Sequence, residues 1–215
     1  GWTEGLAHTY TLPADPVEVT STTVGRTGPG WEWRVVDDDD RDVAPGQRGE
    51  FLGRGPNFSP GYYRQPKFVA QRFRADGWFM SGDIMTRNAD DTFTYVARTD
   101  DMINRGGQKL DPREVEELLY QHPKVHHVAV VAMPDARLGQ KGCACVVPAD
   151  GASLTLGELQ AFLAEKGLAK YKWPESLELL DQLPLTPTGK TMRYALRDRV
   201  SAAAVNSTAG AETRR

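Results

Sequence analysis

The sequence predicts an α+β fold in two parts, a β-rich stretch over residues 1–99 and a compact α+β unit over residues 100–200. Three observations carry this expectation. In WEWRVVD, Trp31, Trp33 and Val35 alternate with the period of a half-buried strand. In DPREVEELLYQ, a capping residue, a first-turn proline and an apolar stripe together mark a helix. From there on, strand and helix patterns succeed each other in a βαββαβ-like order.

In the first part, the strand Trp31 to Asp37 runs into DDDDRD, which reads as a solvated hairpin in preference to a metal site. GEFLGRG (Gly49 to Gly55) is a further strand. PKFVAQRF suggests a short helix with Pro66 at its start, since proline suits the first helical turn. GWFMSGD and DTFTYVAR read as two more strands around the turn NADD.

In the second part, Asp111 caps the helix Asp111 to Gln121, and Glu114 stands where a capping-box carboxylate stands. Val115, Leu118 and Leu119 form its apolar stripe. VHHVAVVAM and KGCACVVP are strands. SLTLGELQAFLAEKG (Ser153 to Gly167) is a second amphipathic helix, closed by glycine. SLELLDQLP reads as a strand and MRYALRDRV as a last short helix. Residues 201–215, rich in Ala, Ser, Thr and Gly, are expected to form a disordered tail. The two parts meet at Asp100 and Asp101 without a Gly/Ser linker, a short charged junction that would let one rigid unit turn against the other.

The 215 residues are 40% hydrophobic and 26% charged, the balance of a soluble globular protein. A net charge of -3 gives no basis for expecting nucleic acid or an anionic membrane as partner. No apolar run approaches the roughly 20 residues that span a bilayer, and no signal peptide is expected from these residues. GWTEG reads as the interior of a longer chain, so a fragment is expected. Cys143 and Cys145 share one face of a strand. A disulfide there would be geometrically poor, and metal binding would need further ligands nearby. Small buried thiols in a reducing, cytoplasmic setting are expected. His8, His122, His126 and His127 show no metal-ligand spacing.

Taken singly, the polar motifs leave alternatives open. Thr3 and Glu4 could meet a phosphate and Mg²⁺, or simply form a turn. Asp83, expected at the end of an apolar strand, could accept hydrogen bonds from a ribose diol, or cap a turn. Arg98 could pair with phosphate or ribose, or lie on the surface. Gly106 and Gly107 in NRGGQK would allow a ligand close to the backbone, or form a plain hairpin turn. In LPLTPTGKTMR, Gly189, Lys190 and Thr191 look like the end of a Walker A loop. The first glycine of that loop is missing, and Pro184 and Pro187 do not suit its helix, which excludes a P-loop NTPase.

In order and spacing, GWTEG, GWFMSGD, ARTDDMINRGGQKLDPREVE and LPLTPTGKTMR together resemble the adenylate-forming superfamily. That superfamily includes acyl-CoA synthetases, firefly luciferase and the adenylation domains of nonribosomal peptide synthetases. The resemblance covers residues 1–198. VGRTGPGWEWRVVD, GPNFSPGYY and MPDARLGQ also look like segments of acyl-CoA synthetases. It implies that residues 1–99 are the small β-rich end of the large AMP-binding domain and that 100–200 are its mobile C-terminal lid. It also implies that Thr3 and Glu4 sit at the α-phosphate and Mg²⁺, that Asp83 binds the ribose hydroxyls with Arg98 beside it, and that Asp100 is the hinge. Gly106 and Gly107 would line a pantetheine tunnel. Lys190 would be the mobile catalytic lysine of the first half-reaction. Two positions depart from the commoner pattern: Ser81 replaces threonine, keeping a hydroxyl, and Ala97 replaces glycine.

The implied protein is an ATP-dependent carboxylic acid–CoA ligase, using ATP, Mg²⁺ and coenzyme A and passing through an acyl-adenylate. The family's Ser/Thr/Gly-rich phosphate loop and most of its acyl pocket have no equivalent here. This piece alone is therefore expected to be inactive without the N-terminal portion of the large domain. The alternatives are an adenylation module that loads a carrier protein, or a non-catalytic or split-enzyme module working with an upstream partner. LAKYKWPESLELLDQLP is similar to ligases for medium-chain, alicyclic or aromatic acids.

Overall fold

The computed structural model describes residues 1–5 and 8–212. The chain divides into two compact units, Gly1–Asp100 and Asp101–Arg215. Both mix helix and sheet, as the α+β expectation has it.

In the first unit, β1 (Thr9–Tyr10) and β2 (Arg26–Thr27) pair around the one short helix between them, α1 (Val17–Thr22). None of the three was anticipated: two-residue strands carry no periodicity, and α1 buries no residue. A four-stranded antiparallel sheet follows in the order β3 (Glu32–Val36), β4 (Arg48–Arg54), β5 (Phe79–Arg87) and β6 (Phe93–Arg98). Helix α2 (Pro66–Arg72) lies between β4 and β5 in sequence and has proline in its first turn.

Alternation along β3 sends Val35 to one face, with Phe51, Met85 and Phe93, and Val36 to the other, with Leu52 and Trp78. Trp33 pairs in register with Gly53, and a Cβ at that glycine would lie 2.1 Å from the indole ring. The missing side chain lets the indole lie flat on Phe51, with ring centroids 4.8 Å apart and planes 9° off parallel. The acidic run after β3 is the expected hairpin. Asp37 accepts from the backbone N–H groups of Asp39 and Arg41, and Asp40 takes two hydrogen bonds from Arg74. Among the described residues, no group of three or more His, Cys, Asp or Glu could hold a metal ion.

One expectation needs correction here. Asp83 does not end its strand: β5 continues to Arg87. Glu50 pairs with Ile84 and Leu52 with Met80, so Ser81, Gly82 and Asp83 stand opposite the single residue Phe51. Gly82 takes φ of +71° at this bulge. The Ser-Gly-Asp signal for a turn was real, but the chain bulges and resumes its ladder.

A 3₁₀ turn, Thr99–Asp101, joins the units. The second contains the hairpin β7 (Ile103–Arg105) and β8 (Gln108–Leu110), then α3 (Pro112–Leu119), β9 (Val125–Asp135), β10 (Gly139–Pro148), α4 (Leu156–Glu165), β11 (Ser176–Leu179) and α5 (Arg193–Glu212). Strand β10 is central, antiparallel to β9 and parallel to β11, and its Gly139 pairs with Arg105 of β7. Its residues alternate between two cores. Ala144 and Val146 join Val115, Leu119, Leu159 and Leu163 under α3 and α4. Cys143 and Cys145 join Leu180, Leu196 and Val200 under α5. Both thiols are free and buried.

Asp111 caps α3 by accepting from the backbone N–H of Arg113 at 3.0 Å. The expected capping box does not use Glu114, whose carboxylate takes two hydrogen bonds from Lys172 at 2.6 Å. The box forms instead at α4, between Thr155 and Glu158. That helix ends in a Schellman arrangement, Gly167 N–H donating to Ala164 C=O and Leu168 N–H to Leu163 C=O. The tail expected to be disordered from Ser201 departs most from the reading: α5 runs on through Glu212, over an alanine-rich stretch with the highest intrinsic helix propensity. Residues 213–215 lie outside those described. No helix among the described residues is long and apolar enough to cross a membrane.

Candidate functional site

In the first unit the polar residues gather at the bulge. Asp83 and Arg98 are register partners on β5 and β6, and Arg98 Nη1 lies 3.0 Å from Asp83 Oδ1. Trp2 Nε1 donates to Asp83 Oδ2 at 2.6 Å. The carboxylate is 6% exposed and the guanidinium 42%, so the acid is sheltered and the base reaches outward. Ser81 shows why a hydroxyl matters at its position. It donates to the Phe51 carbonyl at 2.6 Å and accepts from the Asp83 N–H at 2.9 Å, holding the bulge shut.

Thr3 and Glu4 sit in a turn, Thr3 exposed. The phenol of Tyr62 donates to Glu4 Oε1. Burial, and then this carboxylate, push the Tyr62 phenol up to about 12, so it stays a donor throughout the physiological range. A second acidic group, Glu50, accepts from Gly82 N–H at 3.2 Å and is raised by burial. Arg72 lies across Gly82, where a Cβ would meet its Nη1 at 2.4 Å, and its Nη2 is 3.6 Å from Asp100 Oδ2.

Beneath Trp2 lies His8, 1% exposed, with ring centroids 4.1 Å apart. Neither imidazole nitrogen has a hydrogen-bond partner among the described residues. Burial pushes its pKa down to about 4, so the ring is neutral near pH 7.

In the second unit, Gly106 and Gly107 form the two-residue turn of the β7–β8 hairpin, with φ of +58° and +90°. Gly106 N–H donates to Leu138 C=O at 2.8 Å and Gly107 N–H to Asn104 Oδ1 at 3.0 Å. Both are exposed, and a Cβ at Gly107 would meet nothing within 4 Å. Backbone conformation, and no crowding, therefore asks for glycine at 107.

Lys190 ends a tight loop closed by a bridge between Leu185 and Thr191. Thr186 organises it: its N–H donates to Lys190 C=O at 2.8 Å, and its Oγ1 accepts from Lys190 N–H at 3.0 Å. The backbone is thus fixed while the side chain is exposed, and the ammonium has no hydrogen-bond or ion-pair partner among the described residues.

Behind the loop stands a charged cluster that the sequence reading missed. Arg193, at the start of α5, forks onto Glu116 of α3 with contacts of 2.8 and 2.7 Å, and donates to Val130 C=O at 3.0 Å. Glu116 also accepts from Val130 N–H at 2.6 Å. Asp101 lies 3.6 Å from Arg193 Nε and accepts from Arg197 at 3.0 Å. One signal was available: Glu116 lies on the buried stripe of α3, three residues before Leu119, and a buried carboxylate demands a partner.

Comparison with known proteins places these features. Residues 1–63 match the family described as "AMP-binding enzyme", and residues 114–190 match "AMP-binding enzyme C-terminal domain". The chain is 43% identical to the 2,3-dihydroxybenzoate-AMP ligase of Bacillus subtilis, over 94% of this chain and 37% of that protein. It is 40% identical to the medium-chain fatty-acid–CoA ligase of Escherichia coli, over 92% of this chain and 35% of that one. The structure of ATP-bound MatB from Rhodopseudomonas palustris superposes with a TM-score of 0.80 at 30% identity, covering 93% of this chain and 39% of that one. The chain thus spans between a third and two fifths of the length of these relatives. Two consecutive family matches, in the order in which their motifs run here, show that the chain belongs to the AMP-binding, adenylate-forming enzymes.

Proposed function

We propose that this chain is the C-terminal portion of an ATP-dependent carboxylic acid–CoA ligase, in which residues 1–99 complete the AMP-binding domain and residues 100–200 form its mobile lid. One observation carries the reading. The sheltered Asp83–Arg98 pair and an exposed lysine without partner lie on separate compact units, joined where the family's hinge falls.

In the first half-reaction a carboxylate oxygen of the acid attacks the α-phosphorus of ATP. A new P–O bond forms, the bond to the β-phosphate bridge breaks, and pyrophosphate leaves with its electron pair. Negative charge gathers on the α-phosphate oxygens, where the compact ammonium of Lys190 stabilises the transition state more than the separated reactants. Asp83 accepts hydrogen bonds from the ribose hydroxyls, and Arg98, 3.0 Å from its Oδ1, holds that carboxylate oriented. Thr3 donates to the α-phosphate. Glu4 has one oxygen committed to Tyr62 and the other available to Mg²⁺, a hard cation that would complete its coordination with phosphate oxygens and neutralise the leaving pyrophosphate. In the second half-reaction the thiolate of coenzyme A attacks the acyl carbon, a C–S bond forms and AMP leaves. Lys190 must first withdraw, and the exposed Gly106–Gly107 turn then flanks the pantetheine arm.

The two relatives differ in acid class, aryl against fatty, so the acid is proposed only as an aromatic or medium-chain carboxylate. Free, buried thiols at Cys143 and Cys145 support a reducing compartment, the cytoplasm. The first of these relatives is named for ligation to AMP and not to coenzyme A, which leaves a second reading in which the acyl group passes to another thiol, that of a carrier protein.

The test uses the complete enzyme that contains this chain. Lys190→Ala should abolish acid-dependent ATP–pyrophosphate exchange while largely sparing conversion of supplied acyl-adenylate to acyl-CoA. Equal loss of both would overturn the role given to Lys190. Thioester formation with a carrier thiol but not with free coenzyme A would select the second reading.

A further inference from the structure

Asp100 and Asp101 are adjacent in the chain, yet each is held within a different unit. Asp100 faces Arg72, and Asp101 faces Arg193 and Arg197. Each aspartate thus faces a guanidinium of its own unit, Asp100 across 3.6 Å with its side chain largely exposed and Asp101 more closely, through a hydrogen bond of 3.0 Å from Arg197.

We infer that Asp101, Arg193 and Glu116 form an anchor that fixes the Lys190 loop to the pivot, making Arg193 a positioning residue for the adenylation step. This rests on the reading of Lys190 given above. Arg193 stands three positions after Lys190, and Met192 N–H between them donates to Pro184 C=O, closing the loop at its base. The fork onto Glu116 sets the guanidinium in one plane, and the two bonds to Val130 tie that plane to β9. Asp101 lies 3.6 Å from Nε of the same guanidinium and accepts a hydrogen bond from Arg197, one turn further along α5. A turn at Asp100 therefore moves Asp101, Arg193 and the Lys190 loop together. Without the anchor the loop would keep its Thr186 bonds but lose its registration with the pivot.

The anchor should matter little to the second half-reaction. The β7–β8 hairpin has its own supports, Gly106 to Leu138 and Asn104 to Gln140, and none passes through Arg193. The inference is thus a split between steps, which a general loss of stability would not produce.

The test compares wild type, Lys190→Ala, Arg193→Lys and the double variant Arg193→Met with Glu116→Gln, all in the complete enzyme. The double variant removes both charges at once, so no ion is left buried and unpaired. Exchange of pyrophosphate into ATP, thioester formation from supplied acyl-adenylate, KM for ATP and thermal unfolding are measured for each. The double variant should remain folded and lose about 100-fold in kcat for exchange, the cost of misplacing a catalytic group by about 1 Å. Its KM for ATP and its thioester rate should stay within about threefold of wild type, a change too small to reflect lost transition-state contacts. Arg193→Lys, which keeps the charge but not the fork, should fall between. Unchanged exchange in the double variant, or an equal fall in both steps, overturns the anchor while leaving the role of Lys190 standing. Unchanged exchange in Lys190→Ala overturns the underlying reading, and the anchor with it.

Discussion

Trp2 and Asp83 are 81 positions apart, yet the indole Nε1 donates to the carboxylate Oδ2 at 2.6 Å. With Arg98 on the other oxygen, the acid is held at both ends. Trp2→Phe in the complete enzyme keeps an aromatic ring among the same neighbours but deletes the N–H donor together with the fused second ring. Hydrogen bonds to charged groups contribute about 1.5–3 kcal/mol, so KM for ATP should rise roughly tenfold or more. A KM that does not move would show that Trp2 is packing alone.

Arg193→Met by itself leaves the Glu116 carboxylate among apolar neighbours without its counter-ion. Breaking one half of such a pair costs about 3–5 kcal/mol. Urea unfolding of this chain should show that loss for the single variant and a clearly smaller one when Glu116→Gln is added. Equal losses would mean that the pair adds nothing beyond its separate side chains.

Gly53 and Gly107 should respond differently to alanine. At position 53 the new methyl would run into the Trp33 ring, an overpacking that costs about 1–3 kcal/mol and disturbs near-ultraviolet circular dichroism. At position 107 there is open space but φ of +90°, so the cost is backbone strain of about 1–2 kcal/mol with an unchanged aromatic spectrum. Asn at 107 should recover part of the loss, and Asn at 53 should not.

His8 gives a pH signature. Its folded pKa of about 4 lies below the unfolded value of about 6.5, so the unfolded chain binds the extra proton first. Its contribution is complete above about pH 6.5 and is lost as pH falls towards 4, with a slope of at most about 1.4 kcal/mol per pH unit. His122, also lowered by burial, adds to the slope in the same direction. His8→Phe should flatten most of the dependence between pH 4.5 and 6.5. A slope unaffected by that change would place the titrating group elsewhere.

Much of the fold was legible because its signals are local. Pro66, Asp111 and the Val115–Leu119 stripe each act within a turn or two, and each stands where the sequence put it. Asp83 was misplaced because a bulge is defined by the opposite strand: nothing in Ser-Gly-Asp says that Phe51 will face all three residues. The helix beyond Ser201 was missed because alanine-rich composition suits a helix and a loose tail alike. For the site, the candidates were legible from motif order, whereas their neighbours were not. Tyr62 lies 58 positions from Glu4, and Arg193 lies 77 from Glu116. Each is an ordinary polar residue until the fold supplies its partner.

The two thiols on β10 have a practical consequence. Cys143 and Cys145 are sealed beneath α5 with Leu196 and Val200, so a maleimide can reach them only when that helix peels away. Alkylation rate is then a native clock for helix detachment. It runs without labels or engineered cysteines, and it should slow whenever something clamps the helix that begins just after Lys190.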